Sequence, residues 1–145
     1  MIDLHSFSQI VEKTFEKEFG SSFDSSMPIL GKEKEKGIRY QKDFLYDDRI
    51  TFHMEIIGYE NGYLAMDVTF PILVDIDKDG SLLNAENRKD RVFALSVWKD
   101  SSFGMRHATF AEDVFSLTME LRGMFQAFEK EFDDAMDIIS SLSHH

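Results

Sequence analysis

The last quarter of the chain, Thr109 to about Leu142, sets what the rest must fold around. Apolar residues recur there at Val114, Leu117, Leu121, Met124, Phe128, Phe132, Ala135, Ile139 and Leu142. Steps of three and four draw one face of an α-helix. Phe115, Met119, Phe125, Met136 and Ile138 widen that face beyond a coiled-coil seam. The spacing Thr109-Phe110-Ala111-Glu112 is that of a capping box and predicts the helix start. Gly123 interrupts the run. A glycine inside a helix costs about 1 kcal/mol relative to alanine, so it marks either a kink or a point of close packing. Roughly thirty residues at ~1.5 Å each would reach ~45 Å, longer than a small domain is wide. An overhanging apolar face needs cover, from a second copy in a homodimer or from another protein.

A second amphipathic helix is predicted from Ser6 to Phe19. Phe7, Val11, Phe15 and Phe19 form its buried row, Ser6 to Gln9 a capping box, and Gly20 its left-handed stop. Residues 20–37 contain Pro28 and the charged run Lys32 to Lys36 between glycines, and are expected to form a mobile loop. From Ile38 the pattern changes to strands: Ile38 to Tyr46, Ile50 to Tyr59 across a turn at Asp47-Asp48, and Tyr63 to Val74. Asn61-Gly62 predicts a two-residue type I′ hairpin, and Pro71 predicts an edge, a bend or a bulge. Val92 to Trp98 and Met105 to Phe110 complete a further hairpin. The expected fold is a single α+β domain over residues 1–145. It is an antiparallel sheet of about five strands, with an N-terminal helix and a long C-terminal amphipathic helix packed on it.

Charge excludes some functions. The formal net charge is −11, which works against binding a phosphate backbone. Glu112 to Asp137 alone holds eight acids against Arg122 and Lys130. There is no Cys, which removes disulfides, thiolate metal sites and Cys nucleophiles. No secretory signal and no run of ~20 apolar residues is visible, so the cytoplasm is the expected address and no membrane contact is expected.

One segment carries a chemical motif. Asp75 to Glu86 fits the twelve-residue calcium loop of an EF-hand. Carboxylates would come from Asp75, Asp77 and Asp79, a backbone carbonyl from Ser81, a water-bridged contact from Leu83 and a bidentate pair from Glu86, with Gly80 at the sharp turn. The resemblance covers these residues only, and the preceding segment reads as a strand where the family has a helix. The competing reading is a hairpin turn at Asp77-Lys78-Asp79-Gly80. Catalytic patterns are sparse. His53 and Glu55 share a strand face, and His107 on another strand could meet them as an acid–base pair.

In layout, a small acidic chain with helix, antiparallel sheet and long C-terminal helix is similar to type III secretion chaperones. Small immunity and inhibitor proteins share its acidity. The leading expectation is a non-enzymatic protein-binding module: an adaptor, inhibitor or chaperone. It would meet a basic protein partner through Glu129, Glu131, Asp133, Asp134 and Asp137 and through Phe128 and Phe132. The alternative is a calcium-binding domain built on Asp75, Asp77, Asp79, Ser81 and Glu86.

Overall fold

The computed structural model describes residues 1–46, 50–87 and 89–142. Helix α1 (Leu4–Phe19) is followed by strands β1 (Ser25–Leu30), β2 (Lys36–Tyr46), β3 (Ile50–Tyr59) and β4 (Tyr63–Leu73). Helix α2 (Ile76–Asn87), strands β5 (Ala94–Val97) and β6 (Ser102–Phe110) and helix α3 (Val114–Ser141) complete the chain. All six strands form one sheet in the order β1-β2-β3-β4-β6-β5, every neighbouring pair antiparallel. The α+β architecture follows the sequence pattern, with six strands in place of about five. The expected turn at Asp47-Asp48 lies outside the described residues.

The additional strand is β1, inside the segment expected to be a loop. It pairs with β2 across residues 31–35, where Gly31 N–H donates to the Glu35 carbonyl and Lys34 takes the left-handed conformation. Almost every residue of β1 is exposed. An edge strand with no buried face shows no apolar alternation to read, and Pro28, which cannot donate to a ladder, is tolerated at an edge.

One face of the sheet and two helices make the core. Phe52, Met54 and Ile56 of β3, Leu64, Met66, Val68 and Phe70 of β4, and Phe103 and Met105 of β6 are buried. Helix α1 lays Phe7, Val11 and Phe15 on them, and α3 lays Leu117, Leu121, Met124, Phe125 and Phe128. The two helices also pack against each other. Alternation sends the neighbouring strand residues to the opposite, helix-free face.

Both predicted helix starts shift. Asp3, not Ser6, caps α1, accepting from the Ser6 N–H at 3.2 Å. Asp113, not Thr109, caps α3. Its carboxylate accepts from Ser116 N–H at 2.8 Å while Ser116 Oγ accepts from Asp113 N–H at 3.0 Å. Thr109 belongs to β6, where its hydroxyl donates to Glu120 at 3.1 Å. Helix α3 runs unbroken through Gly123. Its C-terminal end is covered, with Ile138, Ile139 and Leu142 buried, and its exposed apolar residues lie at the N-terminal end instead.

The Asn61-Gly62 hairpin exists in another form. Only Gly62 has positive φ, and its N–H donates to the Tyr59 carbonyl. Glu60-Asn61-Gly62 is therefore a three-residue loop, a type I turn ended by a left-handed glycine, where a two-residue type I′ turn is expected. A side chain at Gly62 would strike the Ala111 carbonyl, where the chain turns toward α3. Pro71 falls at a bulge, since the register of β4 on β6 shifts between Phe70 and Leu73. No helix among the described residues is long and apolar enough to cross a membrane.

Candidate functional site

The acidic stretch of α3 divides by what its carboxylates touch. Glu131 accepts from two consecutive backbone N–H groups, Val92 at 3.1 Å and Phe93 at 3.0 Å. It ties the entry of β5 to the helix. Asp134 pairs with Arg91 at 2.6 Å, and the same guanidinium meets Glu86 of α2 at 3.0 Å. Hydrogen bonding from Lys89, with Arg91 adding to it, holds the Glu86 carboxyl below the usual range. Two of the five acids named from sequence thus serve the fold. Glu129, Asp133 and Asp137 remain exposed.

Phe128 and Phe132 are 4 % and 8 % exposed. Phe128 meets the rings of Phe19, Phe52, Phe93 and Phe132, and Phe132 also meets Phe70. Their outer edges floor an open groove of about 270 Å3 between the end of α1, the end of β2 and the middle of α3. Phe19, Phe44 and Phe52 complete the aromatic lining, and Leu45 and Glu129 stand at its mouth. Leu45 is largely exposed. Burial raises the Glu129 pKa, and the neighbouring Glu18 carboxylate adds to the rise. An apolar slot beside two close carboxylates suits an apolar side chain flanked by a cation.

The segment from Asp75 to Glu86 forms neither of the two structures expected of it. It is helix α2, and Asp75 precedes its first residue, its Oδ1 accepting from Asp77 N–H at 3.1 Å. Acids at Asp77 and Asp79 in the first turn suit the positive end of the helix. Within α2, Asp77 and Asp79 lie ~200° apart around the helix axis, an arrangement different from that of a calcium loop. Asp79 is buried, Asp77 and Ser81 are exposed, and Glu86 faces Arg91. Among the described residues no three His, Asp or Glu are placed to hold a metal. The cap role predicts that Asp75→Ala lowers stability by about 1 kcal/mol. Millimolar calcium against chelator should leave the melting temperature unchanged. A calcium-dependent rise of several degrees, lost in Asp75→Ala, would restore the calcium reading.

The histidines part company. His53 lies on the helix-free face, 2.7 Å from Asp43 and 3.8 Å from Glu55. His107 is paired in register with buried Met66 on the other face and rests against Phe93. The sheet therefore separates the two. Sequence reading missed Asp67, directly across from both Glu55 and Arg106. Burial raises its pKa against the attraction of Arg106, 3.5 Å away. It sits on an open sheet face, not in a cleft. The signal for it was the alternation of β4, which sets Asp67 on the same face as Tyr63 and Ala65.

No protein-family model, no curated protein and no solved structure matches the chain.

Proposed function

We propose that this protein is a non-enzymatic protein-binding module, an adaptor, inhibitor or chaperone. It holds an apolar side chain of a basic partner segment in the groove between α1, β2 and α3. The observation that carries the reading is the aromatic slot itself, open to solvent and bordered by Glu129, whose carboxylate has that of Glu18 beside it. Burying one Leu- or Phe-sized side chain there is worth roughly 1.5–3 kcal/mol. Each exposed ion pair at the rim adds at most about 1 kcal/mol. Their sum, at most about 5 kcal/mol, corresponds to binding no tighter than about 0.2 mM. A partner must therefore reach further, toward Asp133 and Asp137 on the next turns of α3. The net charge of −11 would speed the encounter with a basic segment. The proposal includes a cytoplasmic setting, which suits a chain without Cys.

Selection from a displayed random-peptide library tests this. Enriched peptides should carry one aromatic or aliphatic anchor beside Lys or Arg. Leu45→Arg, which plugs the mouth of the groove from an exposed position, should abolish their binding, and Glu129→Lys should weaken it. No enrichment, or binding indifferent to both substitutions, would remove the groove from function.

A further inference from the structure

The cations of this acidic chain are unevenly matched. Arg39, Lys42, Lys89, Arg91 and Arg106 each meet a carboxylate, as expected where 27 acids surround 16 bases. Lys13, Lys17 and Arg122 meet none among the described residues. Yet all three line one groove between α1 and α3. Lys13 and Lys17 stand one turn apart on α1, and Arg122 faces the same space from α3. Like charges at this spacing repel, and a third cation on the groove adds to the cost.

Acids that could relieve this repulsion are present on α1 but turned away. Glu12 and Glu16 line a separate recess beside Asp24. Glu18 is the one carboxylate on the cationic groove. Its hydrogen bond is to Glu129 of α3, not to a base. The groove measures about 370 Å3, within the ~300–1,000 Å3 of small-ligand sites. Ile10, Thr14 and Thr118 of its lining are half-buried, and the three cations are exposed.

Three cations against one carboxylate leave an excess of two positive charges on the lining. A phosphate monoester carries about −1.5 to −2 at pH 7 and offers three acceptor oxygens. A guanidinium can grip two of those oxygens in its fork, and each lysine supplies a point charge. An extended polyanion fits less well. Beyond the groove it would meet Glu129 on one side and Glu12 and Glu16 on the other, in a chain of net charge −11.

We propose that the groove between α1 and α3 binds a compact phosphate, free or as the monoester of a small molecule, through Lys13, Lys17 and Arg122. The aromatic slot shares none of its lining residues, so the site stands whether or not the slot takes a peptide.

Titration calorimetry of the full chain with glycerol 3-phosphate, inorganic phosphate and plain glycerol tests the site. Calorimetry is preferred to melting because phosphate stabilises folded chains in general through exclusion from their surface. Both phosphates should bind at one site per chain, and glycerol should not. Tighter binding of glycerol 3-phosphate assigns a monoester, and tighter binding of inorganic phosphate assigns the free anion. Arg122→Gln should weaken binding by about 10-fold or more, because hydrogen bonds to a charged group are lost. Lys13→Gln and Lys17→Gln combined should weaken it by a similar factor. All three positions are exposed, so the circular dichroism spectrum and the melting temperature in chloride should not change. Glu18→Gln removes the carboxylate from the lining and should tighten binding, a gain that damage to the fold would not produce. Three results would overturn the site. One is no binding of either phosphate at millimolar concentration. Another is binding indifferent to Arg122→Gln and to the lysine pair. The third is tighter binding of an RNA oligonucleotide that the same substitutions abolish, which would make the groove part of a polyanion surface.

Discussion

Phe15→Ala should lower the unfolding free energy by about 3–5 kcal/mol, the range for removing a fully buried aromatic ring. The Phe15 ring is wholly buried and joins four separate parts of the chain. It stacks on Phe23 at 4.0 Å, meets Phe19 at 4.8 Å, and reaches Phe125 of α3 at 5.9 Å and Phe44 of β2 at 6.2 Å. Phe23 also packs on Tyr40, so the cavity would loosen the approach to β1 as well. Domains of this size have only 5–15 kcal/mol in hand, and the variant would lose a large share of it. Urea unfolding should show the midpoint falling without a change in slope, and the melting temperature should fall by roughly 10 °C. Phe115→Ala, at an exposed position in dilute solution, should stay within about 0.5 kcal/mol of the parent. A loss below 1 kcal/mol for Phe15→Ala would mean that the aromatic cluster repacks, and that the groove floor beside it is less fixed than its geometry implies.

That cluster was written plainly in the sequence. Phe7, Val11, Phe15 and Phe19 at four-residue spacing, and Leu117, Leu121, Phe128 and Phe132 in α3, each bury the face that their period draws. The alternating strands β3 and β4 do the same. Exposed or short elements left fainter marks. In β1 no residue is fully buried, so nothing selects for a period of two, and Pro28 masked it further. In α2 only Asp79 and Leu83 are buried, too few to show helical spacing. Its acids Asp77 and Asp79 stand at the helix N-terminus and also match a calcium-loop pattern. The caps were misassigned because both true capping residues, Asp3 and Asp113, have a serine three residues on, and their neighbours Ser6 and Thr109 offered a plausible hydroxyl. The groove was half legible. Phe128, Phe132 and Glu129 were named, but Phe19, Phe44 and Leu45 come from elements whose juxtaposition only the sheet order decides. What a carboxylate touches was not legible at all: Glu131 and Asp133 look alike in sequence, and one holds β5 while the other faces water.

Arg91 gives the second large effect. Its side chain is 5 % exposed, and one nitrogen, Nη2, serves both Asp134 of α3 and Glu86 at the end of α2. Nε and Nη1 have no hydrogen-bond partner among the described residues, so the guanidinium is held by packing and two carboxylates. Arg91→Ala leaves a half-buried Glu86 facing Asp134 without the cation between them, and opens space where the guanidinium lay. Breaking a buried pair costs about 3–5 kcal/mol, and the exposed Asp134 brings the expectation to the lower end, near 3 kcal/mol. Arg91→Met keeps most of the packing and should cost about half as much. Combining Arg91→Ala with Asp134→Ala should recover part of the loss, with a coupling of about 0.5–3 kcal/mol. The same comparison separates the two kinds of acid on α3. Asp134→Ala should reduce stability and leave capture of a basic peptide by the groove intact, whereas Glu129→Lys should spare stability and weaken capture. If instead Arg91→Ala costs under 1 kcal/mol and Asp134→Ala impairs peptide binding, Asp134 belongs to the binding surface, and Glu131, through Val92 and Phe93, is left to fasten the β5 entry to α3.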